Sequence, residues 1–255
     1  TIGGVNLVAG FRPELWAAIA PDVAPPGVTG FDAPLSDGAG YTMPATQHDV
    51  VIWLAGGGYD TVFDLSRSVV KELAGTADLA NELIGWPYHH DLDLTGFIDG
   101  TENPSLIEAT GVVLVPPGSR GEGGTILLLQ QWEHDAATWE ALPTPQQEAV
   151  IGRRKADSAA LLPAPITSHV ARTDQDRFGR IFRRNVAYGS VSVHGTIFVG
   201  FCADQRILAA MLESMLGRSG GPADALTRFS RPLTGAYYVI PSADALAAFG
   251  GAART

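Results

Sequence analysis

The sequence contains a single cysteine, Cys202, among its 255 residues. One cysteine excludes an internal disulfide and every CxxC-type site for zinc or for covalent haem attachment. Lysine and arginine are also scarce: 17 of them against 27 aspartates and glutamates leave a formal net charge of -10, which gives no electrostatic footprint for nucleic acid. No apolar run approaches the roughly 20 residues of a membrane span, and the first residues lack the basic-then-apolar pattern of a signal peptide. We therefore expect a cytoplasmic globular protein without nucleic-acid or membrane partners.

The apolar pattern predicts two similar halves. An apolar strand followed by an amphipathic helix occupies residues 48–73, and the same order returns at residues 195–216. With 45% apolar residues, the chain can bury two modest cores. Between the two units, residues 112–131 read as a β-hairpin. We therefore predict two domains, residues 1–110 and residues 111–255.

The most informative stretch is an acidic loop with the sequence TGFIDGTENP at residues 95–104. Gly96 and Gly100 allow backbone angles closed to other residues and let a bulky planar group approach the main chain. The simplest interpretation of a lone Asp-Gly pair is a turn between two strands. Asp99 is our candidate for a functional carboxylate, because the flanking residues resemble the signature of a known protein family.

Two further segments carry candidate chemistry. The first, SHVAR at residues 168–172, contains His169, although a lone histidine more often has a core or surface role. The second is IFRRNVAYG at residues 181–189. Side chains two residues apart share one face of an extended strand, so Arg183 and Asn185 would point the same way. Taken alone, this segment is typical of a strand with basic residues on its solvent-exposed face.

In this order, the segments resemble the dye-decolorising peroxidases, haem enzymes with an aspartate on the peroxide-binding side. The compact chain is most similar to the smaller bacterial B-type class. The resemblance implies an α+β fold of two ferredoxin-like halves, a dimeric α+β barrel-like arrangement of antiparallel sheets. Haem b, with its iron, would lie between the sheet and the helices of the C-terminal half, held without covalent bonds. The matching segments are residues 94–104, 151–157, 168–172, 181–189, 196–204 and 229–241.

The resemblance implies that His169 is the axial ligand of the haem iron. An imidazole that gives its other ring N–H to a carboxylate is a strong axial nitrogen. Asp224 lies where family members carry such an acid, whereas Asp174 and Asp176 are nearer in sequence but are expected in an exposed turn. The further candidates for haem contact are Arg172 and Phe198.

On the peroxide side, the resemblance implies a base and a fixed cation, because peroxide cleavage needs both. Asp99 would be the base, and Arg183 the cation, since a guanidinium stays charged at any working pH. Asn185 would hold the peroxide or a water. His169 and Arg183 are only 14 residues apart, which is short for the family, so we expect the exposure of the haem to differ.

The predicted function is a haem peroxidase that reduces hydrogen peroxide to water and oxidises one-electron donors such as dyes and phenolic compounds. Bulky donors would react at the surface through Trp132, Trp139 or Tyr188, although each of these aromatics is more often simple packing. The resemblance also implies a homo-oligomer. It further implies cargo docking inside a protein nanocompartment (an encapsulin) if a C-terminal tail follows Thr255.

Two rival hypotheses remain open. A haem-handling protein that stores or delivers haem, or removes its iron, would use the same axial histidine without a fast peroxide step. A metal hydrolase could use HHDLD at residues 89–93, whose nitrogen and oxygen ligands suit a divalent ion. Adjacent histidines on a strand face opposite ways, so at most one of them would bind.

Overall fold

Two apolar strands form the centre of the sheet because neither has a face that suits water. These are β6 (Thr125–His134) and β9 (His194–Cys202), and they pair antiparallel from Ile126 opposite Cys202 to Glu133 opposite Gly195. In the computed structural model, which describes residues 4–252, the other strands are β1 (Val5–Phe11), β2 (Leu35–Ser36), β3 (Thr42–Met43), β4 (Val50–Gly56), β5 (Gly85–Trp86), β7 (Phe182–Arg183), β8 (Val186–Gly189), β10 (Ser230–Pro232) and β11 (Ala236–Ile240).

Helices connect these strands and pack on the sheet. They are α1 (Pro13–Ile19), α2 (Tyr59–Glu72), α3 (Leu106–Val113), α4 (Ala136–Glu140), α5 (Thr144–Ile151), α6 (His169–Arg172), α7 (Gln175–Phe178), α8 (Gln205–Met215) and α9 (Ala243–Ala252), with a 3-10 helix at Ala225–Arg228. The main sheet follows the order β4-β1-β11-β6-β9-β8-β5, β10 pairs with β6, and β7 pairs with β9. The neighbouring strands of this sheet all pair antiparallel.

The core divides into two layers because successive side chains of a strand point to opposite faces of the sheet. On one face, Ile126 and Leu128 of β6 pack with Met211 and Leu212 of α8. On the other face, Leu127 belongs to a separate cluster formed by β6, β8, β9 and β11. The larger core of the C-terminal part therefore lies between the sheet and α8.

The predicted fold class is confirmed. Strands β11, β6, β9 and β8 form a four-stranded antiparallel sheet with α8 on one face, and solved structures share this mixed fold. Both strand-then-helix units are also confirmed, as β4 with α2 and as β9 with α8. The division into domains at residue 110 stays a prediction.

The predicted hairpin is wrong. Only its second strand exists, as β6. The residues expected to form its first strand, 112–115, lie at the end of helix α3 and at the start of the loop after it. Ser105 explains the difference, because its side chain accepts from the Glu108 N–H while the Glu108 carboxylate accepts from the Ser105 N–H. This capping box satisfies otherwise unpaired helix donors. Within residues 4–252, no helix has both the length and the apolar character that crossing a membrane requires.

Candidate active site

The acidic loop is a tight turn that exposes one edge of a carboxylate. The N–H of Asp99 donates to the carbonyl of Asp91 at 2.7 Å, and the Asn103 N–H donates to the Gly100 carbonyl at 2.9 Å. Gly96 and Gly100 have φ angles of 83° and 71°, which a side chain would strain. The Gly100 N–H also donates to Asp99 Oδ1 at 2.7 Å. The backbone of the loop thus fixes the direction of the Asp99 side chain.

Strand β7 brings a guanidinium to this carboxylate. Arg183 Nη2 lies 3.9 Å from Asp99 Oδ1, and the two side chains are 16% and 23% exposed. This spacing permits an ion pair but leaves room for a small molecule to bridge the two groups. Arg183 Nε is buried and has no hydrogen-bond partner in the part of the chain that the structure describes. A buried donor without a partner is costly, so this nitrogen suits an oxygen ligand.

A second carboxylate is paired with the predicted axial histidine. His169 Nδ1 lies 2.7 Å from Asp224 Oδ2, and the Asp224 side chain is fully buried while that of His169 is 24% exposed. His169 begins the short helix α6, and Ser168 caps it by accepting from the Ala171 N–H at 3.3 Å. With Nδ1 engaged by a carboxylate, Nε2 is the ring nitrogen available to a metal.

The backbone around Asp224 holds its carboxylate in place. Its N–H donates to the carbonyl of Met215, the last residue of α8, at 2.8 Å. Its other carboxylate oxygen, Oδ1, accepts from the Leu226 N–H at 2.9 Å at the start of the 3-10 helix. Asp174 lies instead at the start of α7, where it accepts from the N–H groups of Asp176 and Arg177. Of the three aspartates considered from the sequence, Asp224 is the one that meets His169.

The remaining predicted residues have other contacts. Asn185 Oδ1 accepts from the Val199 N–H of β9 at 3.0 Å, so one end of its amide is already used by the sheet. Phe198 is half-buried against the α8 core and covers Gly200, where a Cβ would come within 2.5 Å of its ring. Arg172 is buried and donates through Nε and Nη2 to the carbonyl of Ser214. The roles predicted for these three residues stay predictions.

Two residues that the sequence interpretation did not single out connect the site. Asn103 donates to the Arg183 carbonyl and accepts from the Arg183 N–H, both at 2.9 Å. The Gln175 side chain donates to the carbonyl of Glu102 at 3.2 Å and accepts from the N–H of Ile181 at 2.9 Å. Both therefore link the acidic loop to the segment around β7. The TENP run was a visible signal for Asn103, whereas nothing in the sequence indicated Gln175.

The HHDLD segment does not form a metal site. His89 and His90 lie in an exposed turn with positive φ angles of 40° and 66° rather than on a strand. Across residues 4–252, no group of three or more histidine, cysteine, aspartate or glutamate side chains is placed to hold a metal ion. The expectation that these residues form a strand is wrong, because the chain turns here before entering the acidic loop.

Sequence comparisons relate the chain to peroxidases. The family profile described as "Dyp-type peroxidase, C-terminal" matches residues 90–245. A dye-decolorizing peroxidase from Brevibacterium linens is 33% identical over 252 residues, which is 95% of this chain and 68% of that protein. A dye-decolorizing peroxidase from Mycobacterium tuberculosis is 34% identical over 219 residues, 82% of this chain and 65% of that protein. The chain spans about two thirds of the length of these relatives.

Solved structures share the fold over most of the chain. DyPB from Rhodococcus jostii RHA1 superimposes with a TM-score of 0.87 at 32% identity, covering 96% of this chain and 81% of that one. A variant of DypB in complex with heme has a TM-score of 0.87 at 31% identity, covering 96% and 82%. A dye-decolorizing peroxidase from Bacteroides thetaiotaomicron has a TM-score of 0.89 at 28% identity, with the same coverage.

Proposed function

The chain belongs to the dye-decolorising peroxidase family, and from this premise we propose that it is a haem b peroxidase. In this proposal it reduces hydrogen peroxide to water and oxidises one-electron donors such as dyes and phenolic compounds. The observation that carries the proposal is the His169–Asp224 pair, in which a fully buried carboxylate is hydrogen-bonded to an imidazole at 2.7 Å. The comparisons do not favour the haem-handling alternative, since the relatives are peroxidases.

The residues present fit a haem. His169 Nε2 would hold the iron, and the buried Arg183 Nε, which has no partner among the described residues, would donate to an oxygen of the peroxide. When bound, the haem supplies the iron at which the peroxide O–O bond is cleaved. Asp224 keeps the imidazole in one orientation and one tautomer, and this carboxylate contact increases the basicity of the ligand nitrogen.

In this proposal, Asp99 transfers the proton and Arg183 stabilises the developing negative charge. Asp99 accepts a proton from one peroxide oxygen and returns it to the other, which leaves as water. The Arg183 guanidinium stabilises the negative charge that develops on the leaving oxygen. A separation of 3.9 Å between Arg183 Nη2 and Asp99 Oδ1 lets one small ligand contact both side chains. The amide oxygen of Asn185 accepts from the Val199 N–H. Its amide nitrogen would orient a water beside Asp99 and Arg183.

The three aromatics considered for surface oxidation are all buried, with exposed fractions of 9% for Trp132, 4% for Trp139 and 6% for Tyr188. Their burial argues against direct contact with bulky dyes and fits the alternative that these rings pack in the core. The proposal extends to a homo-oligomer, which the unpaired outer edge of β4 in the described sheet supports. The proposed cytoplasmic location rests on the single cysteine and on the pattern of the first residues, and the nanocompartment rests on the family resemblance alone.

Absorption spectroscopy tests this proposal. The protein is measured as purified, after haem reconstitution, and after one equivalent of hydrogen peroxide. We expect a ferric Soret band that changes within seconds, and a slower change in Asp99→Asn and Arg183→Leu. A Soret band that does not respond would support haem handling, and an absence of haem uptake would disprove the role of His169.

A further inference from the structure

The side chain of Asn103 pairs with the main chain of Arg183 as a neighbouring strand would. Its Nδ2 donates to the Arg183 carbonyl, and its Oδ1 accepts from the Arg183 N–H, both at 2.9 Å. These residues are 80 positions apart in the sequence. The two hydrogen bonds together fix both the distance and the orientation of the Arg183 peptide groups, because an amide has a planar donor and acceptor pair.

Arg183 needs such a partner because β7 lies at an edge. The next residue, Arg184, turns its N–H to the Val199 carbonyl of β9 at 2.9 Å. In an antiparallel pair the main-chain groups of successive residues point alternately to the two sides. The N–H and carbonyl of Arg183 therefore point away from β9, and Asn103 satisfies both of them.

The same asparagine is part of the turn that holds Asp99. Its N–H donates to the Gly100 carbonyl at 2.9 Å, and the Gly100 N–H donates to Asp99 Oδ1 at 2.7 Å. The Asn103 side chain folds so closely over this turn that a Cβ on Gly100 would lie 2.7 Å from Nδ2. A short chain of hydrogen bonds thus connects the Asp99 carboxylate to the backbone that carries the Arg183 side chain.

We propose that Asn103 is a positioning residue that sets the spacing between the Asp99 carboxylate and the Arg183 guanidinium. The inference rests on the proposed function for its effect on catalysis, because only a peroxide-cleaving site requires that spacing. It also makes a claim about the chain alone, namely that Asn103 protects the Arg183 amide. The protection of the Arg183 amide and the rate of the peroxide step are measured separately.

Hydrogen exchange tests the structural claim without haem. In Asn103→Ala, the Arg183 amide loses its acceptor, so we expect its exchange to become roughly tenfold faster or more while core amides of β6 are unchanged. The measurement is residue-resolved exchange by NMR on the whole chain. Equal protection of the Arg183 amide in the parent and the variant would overturn the inference, whatever the activity.

Stopped-flow absorption tests the catalytic claim on the haem-loaded protein. We expect Asn103→Ala to lower the rate constant of the peroxide-dependent Soret change on the order of 10- to 100-fold, because small misplacements of catalytic groups have effects of this size. Haem affinity, which depends on His169, should not change. Asn103→Ala should add little when Arg183 is already leucine, because coupled residues are not additive. Full additivity would overturn the inference.

Gln205 provides a matched control. Its side chain makes the same double contact to a main chain, accepting from the Thr29 N–H at 3.0 Å and donating to the Thr29 carbonyl at 2.6 Å. Gln205→Ala should therefore lose a comparable clamp without slowing the peroxide step. Equal slowing in both variants would reduce Asn103 to a general structural role. If the parent itself does not react with peroxide, the proposed function fails, and hydrogen exchange still decides whether Asn103 holds Arg183.

Discussion

Asp99 and Asp224 have the same functional group in different surroundings. The Asp99 side chain is 23% exposed and faces a guanidinium 3.9 Å away, so it can meet a ligand and exchange protons. The Asp224 side chain is fully buried, and its two oxygens are occupied by His169 and by the Leu226 N–H. It has no free oxygen to offer a substrate. This difference explains why we assign proton transfer to Asp99 and orientation of the imidazole to Asp224.

The buried pair gives a first prediction. Asp224→Asn keeps an oxygen that can accept from His169 Nδ1 but removes the negative charge that increases the basicity of the imidazole. We expect haem to bind more weakly, on the order of 10- to 100-fold, as for other partners of metal-binding histidines. Haem titration followed by the Soret band measures the change. Asp176→Asn, in the exposed α7 turn, is the matched control and should bind haem like the parent.

His134 gives a prediction for pH. It lies at the end of β6 with its Nε2 3.3 Å from Thr196 Oγ1, and Thr196 in turn donates to Asp93. Burial lowers the pKa of the His134 imidazole; the Asp93 carboxylate opposes this effect, and His194 adds to it. The unfolded chain takes up the proton near pH 6.5, whereas the folded protein resists it. The stability contribution is therefore fully present above about pH 6.5 and is lost as the pH falls toward the lowered pKa.

Urea unfolding across this pH range tests the prediction. The free energy of unfolding of the parent should decrease from pH 7 to pH 5, and this decrease should become smaller in His134→Gln. The exposed His48 provides the control, because His48→Gln should retain the parental slope. An unchanged slope in His134→Gln would contradict the prediction.

Local sequence patterns located the main chemical groups but not the contacts that position them. Asp99, His169 and Arg183 each lie in a short run with recognisable neighbours, so their types and order were readable. Asn103 and Gln175 act through main-chain groups far away in the sequence, 80 and 73 residues in the contacts to Arg183 and Glu102. Such contacts depend on which strands become neighbours in the fold. Local patterns in a single sequence do not reveal this pairing.

At the scale of elements, α3 carries two conflicting local signals, one for a strand and one for a helix. Its residues include β-branched and apolar side chains that suit a strand, and they precede the apolar strand β6. The helix nevertheless forms with a capping box at Ser105 and Glu108. The S-x-x-E spacing of this box is visible in the sequence, so the helix was predictable. The apolar run after it favoured the wrong alternative.

The capping box leads to an element-scale prediction. Ser105→Ala removes the oxygen that accepts from the Glu108 N–H, and should lower the free energy of unfolding by about 1 kcal/mol, as is typical for an N-cap serine. Urea unfolding measures the loss. The control is Ser68→Ala in the middle of α2, where the hydroxyl bonds the Asp64 carbonyl and replacement by alanine should be neutral or slightly favourable. Equal losses in both variants would argue against the capping role.

At the scale of the whole molecule, the two strand-then-helix units are placed differently in the sheet. In the C-terminal half, the unit β9-α8-β11 has strand β6 between its two strands. In the other unit, β4-α2-β5, the two strands lie at opposite ends of the main sheet, with β1, β11, β6, β9 and β8 between them. Both strands line an open cavity of about 2480 Å³. The outer edge of β4 is therefore unpaired in the described chain.

The sequence of β4, VVIWLAG, contains no charge or proline, and these are the usual features that stop an exposed edge from pairing with another chain. We therefore expect the protein to self-associate through β4, and Ile52→Lys to weaken this association by placing a charge on the edge. Sedimentation velocity over a range of concentrations measures the effect. Val191→Lys is the control, because Val191 is 99% exposed in the connection between β8 and β9, and its replacement should leave association unchanged. If the parent is monomeric at all concentrations, or if both variants associate like the parent, then the edge of β4 is not the interface, and the open side of the sheet must be protected in another way.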